Sequence, residues 1–299
     1  MTHLHTEYEN PKNNVHVFYI GFGLNNDGTT SQKKKSFYEE LFDDIPTFAF
    51  GPRKVVKKLN ENGIWPTARE AARLLYAIPE IQAASKEYLE SNDTEDKYIK
   101  RGEFGELLLY HLLHEYFDAD ALISKIYFKD SQGQAAHGFD AVHVDSEHKT
   151  LWLGESKLYQ DGKRAIDELS KDLVNHFNNE FFNQEFSIIT NRAADDGAEL
   201  TDFMKSLIDP RTDPINKLAN INIALFAGFN SDCLINYNPE EFREKMEQEI
   251  ETLRNRANDK SKSHGWNKEL NLYLFLFPLD NKRQFVSDLH QKLKAAHQI

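Results

Sequence analysis

The sequence predicts an α/β protein, a mixed sheet flanked by helices. Three observations predict it. Two short apolar runs, residues 139–144 and 150–157, are separated only by the polar turn 145–149, which reads as a hairpin. A helical pattern follows over 162–179, with Ile166, Leu169, Leu173 and Phe177 spaced for one face. A β-rich run at 186–190 then completes a strand–helix–strand unit, and the intervening helix is long enough to make the two strands parallel.

The remaining elements take their places around this unit. Residues 15–20 form a strand, closed by Gly21-Phe22-Gly23 and the turn-like Asn25-Asn26-Asp27-Gly28. Lys33-Lys34-Lys35 reads as a solvated charge run on a polar loop, with a phosphate-backbone contact as the sharper alternative. A helix starts at Pro66-Thr67 and carries Ala68, Ala71, Ala72 and Leu75 on one face. A second short helix is expected over 79–90. The polar stretch 91–96 marks an internal boundary, so residues 1–95 form a mainly helical N-terminal region and residues 96–299 a second unit with its core at 98–230. The helix 98–117 is apolar over much of its circumference, as a helix packed on a sheet should be. A strand is expected at 122–128, a helix near 198–207 and a strand at 221–227. Asn238-Pro239 caps a long helix bearing Phe242, Met246, Ile250 and Leu253. A strand at 271–277 and a helix from Asp280 close the chain as a helix–strand–helix extension.

Composition narrows the function. The chain of 299 residues is 40% hydrophobic, enough for a real core. Phe is abundant (21) and Met scarce (3), which suits rigid packing rather than an adaptable surface. A net charge of −12 argues against gripping nucleic acid by bulk charge alone. The acidic surplus is concentrated in residues 96–230. Cys233, the single cysteine, leaves no internal disulfide and fits a reducing cytoplasm. The longest apolar run, 272–277, is too short to span a bilayer, so a soluble cytoplasmic protein is expected.

The chemistry gathers on the hairpin. Side chains alternate along a strand, so Asp140 shares a face with Val142 and Val144, while Glu155 and Lys157 share one with Leu151 and Leu153. Two carboxylates and an ammonium converging at one end of a sheet are costly to bury alone. A divalent cation makes the arrangement reasonable, since Mg²⁺ takes one or two carboxylates and keeps positions for water and phosphate oxygens. Glu103 and Glu106, three apart on the preceding helix, each offer a third acid. His137, His143 and His148 crowd the hairpin without a zinc spacing. His111-x-x-His114-Glu115 is not the metalloprotease order and reads as a helix feature. Trp65, Trp152 and Trp266 read as core or boundary residues.

These features resemble the PD-(D/E)xK nuclease superfamily: a helix with Glu, then Asp140, then Glu155-Ser156-Lys157, then a crossover helix and strand. Phe139 stands where the superfamily has proline. Arg101-Gly102-x-x-x-Glu106 resembles the helix motif of archaeal Holliday-junction resolvases, which favours Glu106 over Glu103. The resemblance implies a restriction-endonuclease-like core. It also implies Mg²⁺-dependent DNA hydrolysis, with Mn²⁺ able to substitute, Asp140, Glu155 and Glu106 as metal ligands, and Lys157 catalytic beside them.

More narrowly, the chain resembles the HamA family of the Hachiman anti-phage defence system. That likeness rests on Arg-Gly-Glu-Phe-Gly-Glu-Leu-Leu, on the Gly-Phe-Asp and Gly-Glu-Ser-Lys pair, and on the closing Leu-x-Leu-Phe-Leu-Phe-Pro-Leu strand. It implies a nuclease effector restrained by a HamB-like helicase partner. A minimal nuclease core needs neither residues 1–95 nor the C-terminal strand and helix, so residues 1–95 are a candidate docking region. The motif leaves two alternatives open: a non-catalytic regulatory or scaffold subunit on the same fold, and a ribonuclease.

Overall fold

The computed structural model describes residues 4–10, 14–76, 102–123, 138–195, 201–209 and 211–298. A seven-stranded mixed sheet runs through the middle. Its order is β1 (Leu4–Asn10), β2 (Val15–Ile20), β9 (Asn271–Leu279), β8 (Ile221–Asn230), β7 (Thr150–Leu158), β6 (Ala141–Asp145) and β5 (Asp120–Ala121). The four central strands β2, β9, β8 and β7 are parallel, and an antiparallel hairpin edge flanks each side. A separate two-stranded ribbon joins β3 (Phe22–Leu24) to β4 (Thr30–Gln32).

Helices cover both faces. One face carries α1 (Lys34–Asp43), α2 (Ile45–Phe50), α3 (Pro52–Asn62), α4 (Ile64–Tyr76), α5 (Gly102–Phe117) and the C-terminal helix Lys282–Gln298. The other carries α6 (Gly162–His176), α7 (Asn179–Asp195) and the helix Phe242–Ser261. Strand β8 explains its central position: Ile-Asn-Ile-Ala-Leu-Phe-Ala-Gly-Phe is buried throughout, as a strand covered on both faces must be. The N-terminal strands belong to the same sheet, and Phe18, Phe37, Leu41 and Leu75 share one core with Leu108, Phe277 and Phe285.

Helix α5 lies close on β7. A Cβ on Gly154 would sit 2.6 Å from Leu109 Cδ2 and 3.0 Å from Ala141 Cβ, so only glycine fits there without displacement. Gly105 faces Ser156 and Leu158 from the helix, where a Cβ would stand 3.3 Å from Ser156 Oγ, a tight but not a prohibitive contact. His111 Nδ1 pairs with Asp44 at 2.7 Å and His114 with Asp120 at 3.4 Å, so the His-x-x-His-Glu stretch anchors this helix to its neighbours.

Several expectations are corrected. Residues 186–190 are helical, inside α7, not a strand. Phe182, Phe186 and Ile189 are buried at a spacing of four and three, and that helical periodicity outweighs the β-rich local composition. The parallel neighbour of β7 is therefore β8, reached after a chain of helices. Lys34 and Lys35 lie in α1 rather than in a loop, and Lys34 pairs with Asp280 at 2.5 Å. The long helix after Pro239 begins at Phe242. Asn238 caps the turn before it instead, its side chain accepting from the Glu240 N–H at 3.1 Å. Trp65 is 76% exposed because it opens α4 on the outward side, whereas Trp152 is core. The expected helix at 79–90, the boundary near 95, His137 and most of the expected strand at 122–128 lie outside the described residues. Among the described residues no helix is long and apolar enough to cross a membrane.

His143 on β6 is buried, and its Nδ1 meets the Ala119 carbonyl at 2.8 Å. Burial pushes its pKa down to about 4, against the opposing pull of that hydrogen bond. An unfolded histidine takes a proton near 6.5, so the folded state is favoured fully above that pH and progressively less toward 4. The loss approaches about 3 kcal/mol. Urea unfolding at pH 7.5 and 4.5 checks this: the parent should lose more stability between the two pH values than His143→Asn does. Equal losses would contradict it.

Candidate active site

The β6–β7 hairpin sets the site. Ala141 pairs with Gly154, and the Asp140 N–H donates to the Gly154 carbonyl at 2.8 Å, which brings Asp140 beside Glu155. The backbone N–H and Oγ of Ser156 each donate to Asp140 Oδ2 at 2.9 Å. These two bonds fix the carboxylate at the end of its strand. Phe139, one residue earlier, is buried against Phe177 and the edge of the His176 ring.

Alternation along β7 sorts its residues between the layers. Trp152 and Leu158 join the α5 core, where Gly154 and Ser156 also face, and Leu151 and Leu153 join the α6 core. Glu155 and Lys157 follow the second set. They meet helix α6, whose N-cap Asp161 accepts from the Arg164 N–H at 3.0 Å and whose apolar stripe is Ala165, Ile166, Leu169 and Leu173. His176 and Asp172 lie along that stripe. His176 Nδ1 is 2.5 Å from Glu155 Oε1, and Lys157 Nζ is 2.5 Å from Asp172 Oδ2.

Glu155 is only 2% exposed. Burial pushes its carboxyl up to about 7; the His176 hydrogen bond opposes that, and the charges of Asp140 and Asp172 add to it. For Lys157, burial works against the ammonium. The hydrogen bond to Asp172 and the charges of Asp172, Asp140 and Glu155 outweigh it and hold the pKa above its ordinary value. His176 is likewise opposed by burial and raised by its bond to Glu155.

Asp140, Glu155 and Lys157 thus come together: the Asp140 charge acts on Glu155, and both carboxylates act on Lys157. Glu106 is 7% exposed on the helix packed over Ser156, next to Gly105, and it is not among the charges that dominate Glu155. Glu103, its alternative, is half-buried one turn earlier on the same helix. Among the described residues no group of three or more His, Cys, Asp and Glu side chains is placed to hold a metal ion unaided. Asp140 and Glu155 offer hard carboxylate oxygens, a chemistry that suits Mg²⁺ better than zinc.

Sequence reasoning missed His176, Asp172 and the serine that clamps Asp140. A signal existed for the first. Position 176 continues the apolar stripe 166, 169, 173, so a histidine there interrupts a face that is otherwise buried. Glu185 on α7 was also missed. It is 3% exposed, and its Oε2 makes no hydrogen bond among the described residues.

The sequence model of the HamA family matches residues 1–293. The chain belongs to the HamA family. Membership fits an anti-phage role within the Hachiman defence system, alongside a partner from that system. No curated protein matches the chain. The family match spans the N-terminal strands and helices as well as the hairpin.

Burial pushes the Glu185 carboxyl up to about 7, with the His176 charge opposing. The folded chain therefore holds a proton there that the unfolded chain gives up near 4.5, and stability falls as pH rises between those values. Glu185→Gln should melt a few degrees above the parent at pH 8 and level with it at pH 4.5. A gain of equal size at both would contradict this.

Proposed function

We propose that this HamA-family chain is a metal-dependent DNA nuclease that hydrolyses phosphodiester bonds, the nuclease subunit of a helicase–nuclease anti-phage complex, restrained until activation. The observation that carries the reading is the meeting of Asp140, Glu155 and Lys157 at one point of the sheet. Asp140 and Glu155 are the residues to hold Mg²⁺. A second cation would offset the repulsion and desolvation that burden Glu155. Bound there, Mg²⁺ stabilises charge on phosphate oxygens and acidifies a bound water.

The chain's own groups supply the rest. Ser156 holds Asp140 in place, which preorganises the pair before substrate arrives. Lys157, held charged by Asp172, is suited to stabilising charge on the phosphate or orienting water rather than to removing a proton. The superfamily resemblance implies Glu106 as a third acid, but no three-acid group placed to hold a metal forms among the described residues, so Asp140 and Glu155 carry the reading. The partner supplies the grip on DNA that a chain of net charge −12 lacks. Val56, Leu59, Ile64 and Trp65, exposed around the α3–α4 corner, offer that helicase partner an apolar docking surface.

A second reading has an observation of its own. Lys157 and Glu155 each already have a partner on α6, an arrangement that also serves a non-catalytic subunit whose charges only stabilise the fold. One experiment separates the readings and the substrates. The chain, alone and with its co-purified partner, is incubated with Mg²⁺ and plasmid or RNA. The parent should cleave DNA, and Glu155→Ala and Lys157→Ala should each lose about 100-fold or more in rate, because charge stabilisation at a metal site is worth several kcal/mol. Variants as active as the parent would remove the nuclease reading. Cleavage of RNA alone would make the chain a ribonuclease.

A further inference from the structure

Two side chains outside the Asp-Glu-x-Lys set hold its charged groups. His176 and Asp172 are four residues apart on α6, about 6 Å along the helix axis, so they share a face. Glu155 and Lys157 are two apart on β7, about 6.6 Å along the strand, and also share a face. The two spacings match, and the chain reverses between strand and helix. Glu155 therefore meets His176 while Lys157 meets Asp172, each at 2.5 Å.

The helix is itself held firmly. Ala165, Ile166, Leu169 and Leu173 are buried beneath it. Arg256, on the helix Phe242–Ser261, grips Asp167 through two hydrogen bonds of 2.8 and 2.7 Å. Phe139 sets its ring against that of His176 at right angles, 6.3 Å between centroids.

We propose that His176 and Asp172 are the positioning residues of the phosphodiester-cleaving site. His176 engages Glu155 Oε1 and thereby leaves Oε2 to meet the cation. Asp172 draws the Lys157 ammonium toward α6 and away from Asp140 and Glu155, whose charges would otherwise draw it into the place the metal needs. The proposal rests on the nuclease reading given above, and it extends the site onto helix α6.

The test uses the full chain with its partner and two readouts: calorimetric Mn²⁺ binding, and plasmid cleavage across a range of Mg²⁺ concentrations. His176→Ala and Asp172→Ala should each weaken Mn²⁺ binding about 10- to 100-fold and raise the Mg²⁺ needed for half-maximal cleavage by a similar factor. His176→Asn, which keeps a donor near Nδ1, should recover most of both and also covers the case in which the alanine variant does not fold. Unchanged Mn²⁺ binding and Mg²⁺ dependence in folded His176 and Asp172 variants would overturn the proposal. Tighter Mn²⁺ binding by His176→Ala would overturn it too, by making the imidazole a competitor of the metal. Glu155→Gln and Lys157→Ala run alongside. If those two cleave and bind like the parent, the nuclease reading itself fails, a result distinct from failure of the positioning pair alone.

Discussion

A carboxylate buried between two layers of helices, next to a second carboxylate, is the constraint around which this hairpin is built. Glu155 is 2% exposed and sits beside Asp140, so without compensation the pair would be expelled or protonated. Three compensations surround it. Ser156 gives Asp140 two hydrogen bonds, His176 gives Glu155 one, and Lys157, held on α6 by Asp172, feels the charge of both. Ser156 and Lys157 come from β7 and His176 from α6, so the hairpin and the helix that follows it must be in place together. Gly154 and Gly105 permit the close approach on one side, and the Arg256–Asp167 clamp secures the other.

That arrangement ties architecture to chemistry. Parallel strands β7, β8 and β9 are covered on both faces, which places their polar residues in a low-dielectric interior where charge interactions are strong. An acid pair kept there at a cost to stability marks a candidate functional site. The HamA family match gives the site its biological setting, while the hydrolysis, the metal and the helicase remain proposals tied to named residues.

The sequence revealed the elements whose periodicity matches their burial. The hairpin, the strands at 221–227 and 271–277 and the helix from Gly162 were legible because each has one strong pattern. Residues 186–190 were not, since Phe-Ser-Ile-Ile-Thr favours a strand locally while Phe182, Phe186 and Ile189 pack as a helix. At the site, Asp140, Glu155 and Lys157 were legible from alternation on adjacent strands. His176 and Asp172 were not, because the contact they make spans a strand-to-helix turn and depends on matching two different repeats. Glu106 was legible as a buried acid on a helix, but one-dimensional spacing did not show which layer of the sandwich it faces.

The central claim is that Asp140 and Glu155 together hold a divalent cation. A crystal of the full chain grown with Mn²⁺, with anomalous diffraction recorded at the manganese edge, tests it most directly. The account predicts one strong peak within coordination distance of both carboxylates, lost in Glu155→Gln. A peak elsewhere, or none beside a well-ordered Asp140 and Glu155, would contradict it.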